Sequence, residues 1–145
     1  MPPDFYSEIN LHIVWRTKHD MPLLTPPVEA FVHHHVKHRL LEGVIVHAIG
    51  GTANHVHVVV TLPPTILVSE LIARIKGSSA YEANQKFGAT QRLLEWQRGY
   101  GVVSFGTRNL HWVKSYVEKQ RARHARGKLF ERLERSSAPG KKEPS

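Results

Sequence analysis

The chain has 145 residues, a length that suits one compact domain, and 41% of them are apolar, enough for a buried core. Twenty Lys and Arg against twelve Asp and Glu leave a net charge of +8, which favours a polyanionic partner, although part of that charge (Arg121, Arg123, Arg126, Lys128, Arg132, Arg135, Lys141 and Lys142) gathers towards the C-terminal end. The absence of cysteine excludes disulfides, thiolate metal sites and thiol nucleophiles. No apolar run approaches the roughly 20 residues of a membrane helix, and the start lacks a basic-then-apolar leader pattern, so a cytoplasmic protein with no membrane partner is expected.

In chain order, residues 9–16 read as a strand with Ile9, Leu11, Ile13 and Trp15 on one face. After Pro22, the pair Pro26-Pro27 suits a first helical turn, and Val28, Phe31, Val32, Val36 and Leu40 recur at helical spacing as far as Leu41, with Gly43 as the stop. Residues 44–49 are a β-branched second strand, Gly50-Gly51 a turn, and residues 55–62 a third strand halted by Pro63-Pro64. Ser69 is the expected cap of a helix carrying Leu71, Ile72, Ile75 and Tyr81, closed by Gly88. A looser stretch leads to a short strand at 100–105. One helix over 109–126 follows, with Leu110, Val113 and Val117 as its stripe, and residues 129–133 extend it or form a last short helix.

The order β-α-β-β-α-β plus a further helix predicts an α+β, ferredoxin-like split βαβ domain. Its antiparallel sheet carries helices on one face, with an added C-terminal helix that bears a tyrosine. The domain is expected over residues 1–136, with residues 137–145 a disordered basic tail.

Chemistry concentrates in two places. Strand alternation puts His55 and His57 on one face about 7 Å apart, with Val56, Val58 and Val60 towards the core. Two imidazoles on one strand are a natural pair of metal ligands, with two ordinary histidines, in a chain that has eleven, as the lesser alternative. On the last long helix Tyr116 and Gln120 share a face with Cβ atoms ~6 Å apart. Taken together, two imidazoles and an amide oxygen form a divalent-metal site beside a tyrosine hydroxyl. The ion would neutralise a scissile phosphate, and Tyr116 would attack it to form a covalent intermediate that keeps the phosphodiester energy for rejoining. No general base for Tyr116 is evident. His33, His34, His35 and His38 read as a solvated or DNA-facing edge, and His12, His47, His111 and His124 are unassigned.

These motifs, in order, resemble the single-tyrosine HUH transposases of small bacterial and archaeal insertion sequences, the TnpA type. The segments LHIVWRTKH, NHVHVVVTLPP, SELIARIKGSSA, WQRGYGVVSFG and VKSYVEKQ carry the resemblance over about residues 8–125. It implies His55, His57 and Gln120 as ligands of Mg²⁺ or Mn²⁺ and Tyr116 as nucleophile. It also implies single-stranded DNA with hairpin ends as substrate, a 5′-phosphotyrosine with a free 3′-hydroxyl, and a homodimer whose tyrosine helix works in cis or in trans. The WQRGY stretch is similar to repeat-associated tyrosine transposases, so a domesticated, repeat-associated or non-catalytic single-strand-binding protein is the alternative. Arg16, Lys18, Arg74 and Lys76 are the candidate phosphate contacts, and Trp96 or Tyr100 a base-stacking surface. A histidine-triad hydrolase is disfavoured because position 59 is Val59, and a replication initiator or relaxase by the short chain.

Overall fold

The computed structural model describes residues 4–39 and 42–137. β1 (Ile9–Arg16) leads through a 3-10 turn (Lys18–Asp20) to α1 (Pro26–His38). β2 (Ile45–Thr52) and β3 (His55–Leu62) form a hairpin, and α2 (Val68–Phe87) precedes β4 (Gly101–Phe105). Three short helices follow: α3 (Leu110–Glu118), α4 (Gln120–Arg126) and α5 (Glu131–Glu134). Leu40 and Leu41, read as the end of the first helix, and the tail from residue 138 onward, with Lys141 and Lys142, lie outside the described residues.

The four strands lie in the order β2-β3-β1-β4, every neighbouring pair antiparallel. β1 and β2 therefore run parallel with β3 inserted between them, which is the split βαβ arrangement. The alternation in β1 and β3 sorts their residues to two faces as expected. Ile9, Leu11, Ile13 and Trp15 join Val56, Val58, Val60 and Leu62 under α1 and α2, where Val28, Val32, Val36, Leu71, Ile72 and Ile75 meet them. The opposite face carries Ala48 and Val59 beneath Val113, Tyr116, Val117 and Leu133. Both faces of the central strands are thus covered, and residues 55–60 of β3 are all buried.

Four local expectations are corrected. Gly50 and Gly51 belong to β2, opposite His57 and Val56, and the turn lies at Ala53-Asn54. The physical reason is close approach rather than chain reversal. A Cβ on Gly50 would sit 2.0 Å from the carbonyl oxygen of Val117, so bare backbone there lets α3 come down on the sheet. α2 starts at Val68, with Leu67 rather than Ser69 at its N-terminal cap and no side-chain cap bond. Tyr81 stands exposed on α2 instead of joining its stripe. The expected single helix over 109–126 breaks at Lys119 (φ −105°, ψ 24°). There the Tyr116 carbonyl accepts a bond from the side-chain Nε2 of Gln120 at 3.3 Å, where a regular helix offers the backbone N–H four residues on.

A candidate metal and tyrosine site

The hairpin supplies the two imidazoles and fixes both rings from behind. His55 Nδ1 donates to Asn54 Oδ1 at 2.8 Å, with Thr52 Oγ1 also 2.9 Å away. An amide oxygen only accepts, so the ring proton of His55 is on Nδ1 and its Nε2 presents a lone pair inward. His57 Nδ1 lies 2.8 Å from Nε2 of His12, which β1 places on the same face, so the Nε2 of His57 also points inward. Outer partners that orient inward-facing nitrogens are the usual support of a metal-binding pair.

The chain beyond the sheet supplies the other half. Gln120 Oε1 is 3.4 Å from His55 Nε2 and 3.0 Å from His124 Nε2. The break at Lys119 leaves Tyr116, Gln120 and His124 on one side of the bent helix pair, and α5 brings in Glu134. The Oε1 of Glu134 lies 3.3 Å from His57 Nε2, 3.4 Å from His124 Nε2 and 3.7 Å from His55 Nε2. Its Oε2 accepts the Tyr116 hydroxyl proton in a short hydrogen bond, and the same hydroxyl accepts from the Phe130 N–H at 2.8 Å. The C-terminal segment reaches this position because Gly101 has no side chain. A Cβ there would lie 1.8 Å from the Arg135 carbonyl oxygen.

Tyr116 and His57 are 0% exposed, and His55 and Gln120 are 1% exposed, whereas Glu134 and His124 are half-buried at its edge. Burial, reinforced by the neighbouring His57, lowers the pKa of His12 and of His55 to about 3; burial also lowers that of His57. Burial alone would raise Glu134, but the close approach of the His57 ring, together with the Tyr116 hydroxyl that donates to it, outweighs burial and holds the carboxyl at about 2. Burial, then the bond to Glu134, pushes Tyr116 up to about 12, so in this arrangement it is a phenol.

His55, His57, His124 and Glu134 form a group whose ligand atoms all lie within 4.8 Å of one another. The donor chemistry fits a divalent cation. The inward nitrogens of His55 and His57 face a carboxylate oxygen, while His124 Nε2 donates to the amide oxygen of Gln120 and must give up that proton to bind an ion. His57 Nε2 and Glu134 Oε1 are buried with no hydrogen-bond partner, although such atoms ordinarily find one.

The two residues on which the sequence reading relied most, His55 and His57, thus meet Tyr116 and Gln120 in one place. His124 was legible in principle, since it continues the spacing 116, 120, 124, and His12 follows once the β1–β3 register is known. Glu134 has no local signal, because it arrives from a separate helix. Of the candidate phosphate contacts, Lys18 and Arg74 are exposed, and Arg74 lines a cleft of about 540 Å³ between α1 and α2 with Arg39 and His35. Arg16 pairs with Asp20 at 2.5 Å. Lys76 is turned inward, its ammonium donating to the carbonyls of Gln97 (2.8 Å) and Gly99 (3.0 Å). Trp96 is a packing residue, edge-on to Trp15 with its indole N–H on the Lys76 carbonyl, whereas Tyr100 is exposed. No helix among the described residues is long and apolar enough to cross a membrane.

Two solved structures share the fold. One is a Deinococcus radiodurans R1 protein assigned as a transposase, 16% identical, with a TM-score of 0.60 over 83% of this chain and 96% of that one. The other is a REP-associated tyrosine transposase bound to a REP hairpin, 15% identical, with a TM-score of 0.57 over 89% of this chain and 75% of that one. A search of curated proteins finds no match. The model of the family described as "Transposase IS200 like" matches residues 5–120, which span every strand, the paired histidines, Tyr116 and Gln120, and the chain belongs to that family.

Proposed function

We propose that this protein cleaves and rejoins single-stranded DNA through Tyr116, with Mg²⁺ or Mn²⁺ held by His55, His57 and Gln120. The observation that carries this reading is the meeting of the Tyr116 hydroxyl, through the Glu134 carboxylate, with the inward nitrogens of His55 and His57 in one largely buried group. The bound ion supplies Lewis acidity at the scissile phosphate and lowers the cost of its developing charge. Tyr116 Oη forms the new bond to phosphorus as the bond to the 3′-oxygen breaks. The phenol proton leaves, the 3′-oxygen gains a proton as a free hydroxyl, and a 5′-phosphotyrosine remains. A 3′-hydroxyl attacking that phosphotyrosine reverses the step, so rejoining needs no nucleotide cofactor.

The net charge of +8 supports a nucleic-acid substrate. The hairpin bound by the REP-associated relative supports DNA with hairpin ends. Arg16, Lys18 and Arg74 are proposed as phosphate contacts; Lys76, with its ammonium on two carbonyls, is proposed to act chiefly by holding the loop before β4. A homodimer remains part of this reading. Since one chain brings Tyr116 to its own histidines, each subunit is expected to use its tyrosine in cis. Mixing Tyr116→Phe with His57→Ala subunits then recovers no activity, and recovery would argue for exchange of the tyrosine helix.

The decisive experiment incubates the full chain with 3′-labelled single-stranded oligonucleotides from the DNA flanking its gene and Mn²⁺ or Mg²⁺, followed by denaturing gels. A metal-dependent protein–DNA adduct, absent with duplex DNA and with Tyr116→Phe, is the expected result. Tight single-strand binding with no adduct would replace this reading with a non-catalytic binding protein.

A further inference from the structure

We propose that Glu134 is itself a metal ligand and at the same time the seat of the nucleophile, its Oε1 coordinating the divalent cation with His55, His57 and His124 while its Oε2 holds the Tyr116 hydroxyl. This assignment rests on the metal-and-tyrosine reading above and changes the ligand set within it.

Position comes first. One carboxylate oxygen faces three imidazole nitrogens at 3.3, 3.4 and 3.7 Å. Ligands at right angles around an ion about 2.1 Å from each lie roughly 3 Å apart, so the carboxylate-to-imidazole distances already approach those of a coordination sphere, within a group whose ligand atoms all lie within 4.8 Å of one another. Hydrogen-bond accounting comes second. Glu134 Oε2 is satisfied by Tyr116, whereas Oε1 and the facing His57 Nε2 are two buried atoms without a hydrogen-bond partner. A buried, mutually facing carboxylate oxygen and imidazole nitrogen without other partners are suited to share a cation.

Charge is the third consideration. Two neutral imidazoles and an amide would offer no counter-charge to a dication beside His55, His57 and Gln120, all three almost fully buried, and an uncompensated charge in such a place is costly. Glu134 contributes the negative charge. Gln120 is already engaged, its Nε2 on the Tyr116 carbonyl and its Oε1 3.0 Å from His124 Nε2, and it orients the helix break rather than dominating affinity. Imidazoles with one carboxylate suit Mn²⁺, Fe²⁺ or Zn²⁺ better than Mg²⁺, which favours oxygen ligands.

The test is Mn²⁺ titration of the chelator-stripped full chain, by calorimetry and by the EPR signal of free Mn²⁺, without DNA. Circular dichroism checks that each variant folds. Glu134→Gln is expected to weaken Mn²⁺ binding by ~10-fold or more, by analogy with the loss seen on removing groups that support a metal site. Glu134→Asp, which keeps the charge but withdraws it, is expected to fall between, and Gln120→Ala to lose less than Glu134→Gln. Glu131→Gln, on the same short helix but exposed, is expected to bind like the parent chain. Wild-type affinity in both Glu134 variants, with binding abolished in His57→Ala, would overturn the role of Glu134 and leave the histidine site standing. Wild-type affinity in His57→Ala would instead remove the metal reading itself.

Discussion

The two faces of the sheet are built from alternate residues of the same strands, yet they are held by different physics. Beneath α1 and α2, Ile13, Trp15, Val56, Val58 and Val60 meet aliphatic partners, and each buried aliphatic side chain contributes about 1.5–3 kcal/mol wherever it packs. Beneath α3 to α5, the same strands present Asn10, His12, His55 and His57, each of which needs a specific partner at a specific distance. One face tolerates any well-shaped apolar filling. The other is stable only as a satisfied network, and its unsatisfied atoms mark where chemistry is expected.

The sharpest break of this contrast is Tyr116→Phe, which removes one oxygen from the polar face. The covalent DNA adduct should vanish entirely while the circular dichroism spectrum is retained; a surviving adduct would move the nucleophile to another tyrosine. On the other face, Ile13→Ala should cost about 2–5 kcal/mol in a urea melt, through lost transfer energy and a cavity. Mn²⁺ affinity, measured at a temperature where that variant is fully folded, should be unchanged. Coupling of the two would show that the faces are not independent.

Acid should separate them as well. His12 and His55 are held at about 3 when folded against 6.5 in the unfolded chain, and Glu134 at about 2 against 4.5. For all three the folded value is the lower one, so the unfolded chain binds more protons as the pH falls. Their stabilising contribution is complete above about pH 6.5 and is lost progressively towards pH 3 and, for Glu134, pH 2. The melting temperature of the chelator-treated protein should therefore drop on going from pH 7.5 to pH 5. A flat profile would mean that these imidazoles are not buried as described.

Smaller effects refine the picture. Gly101→Val puts a side chain where the Arg135 carbonyl lies and should lift the C-terminal segment, at a cost of about 1–3 kcal/mol. Trp112, which packs against Phe130 and Tyr116, reports on it through its fluorescence. An unchanged Trp112 spectrum would show that the segment is seated by other contacts. Least of all, Arg74→Ala should reduce the salt dependence of single-strand binding by about one unit of slope, whereas Lys76→Ala should leave the slope alone and lower the melting temperature. Equal slopes in both variants would dismiss Arg74 as a phosphate contact.

What could be read in advance follows the same division. β1 and β3 were legible to the residue because period-two alternation of branched side chains is a local signal, and His55 and His57 inherit their common face from it. Gly50-Gly51 misled because a glycine pair looks alike whether it reverses the chain or admits a neighbouring carbonyl, and the Val117 oxygen that decides the matter lies 67 residues after Gly50. The break at Lys119 was hidden because Gln120, whose side chain bonds the Tyr116 carbonyl at the break, has an ordinary helical propensity. Glu134 was out of reach, since only the packing of the last segment across Gly101 brings it to the histidines.

The hairpin has one more consequence, for how this family member can change over time. Val56, Val58 and Val60 look one way from β3 and His55, His57 and Val59 the other, with a tight turn at Ala53-Asn54 setting the phase. Deleting or inserting a single residue in that turn would exchange the two sets, sending imidazoles into the aliphatic layer and valines to the face beneath α3 to α5. Stability and chemistry would fail in the same event. Descendants of this chain can substitute along β3 one residue at a time, but its length is heritable only as it stands.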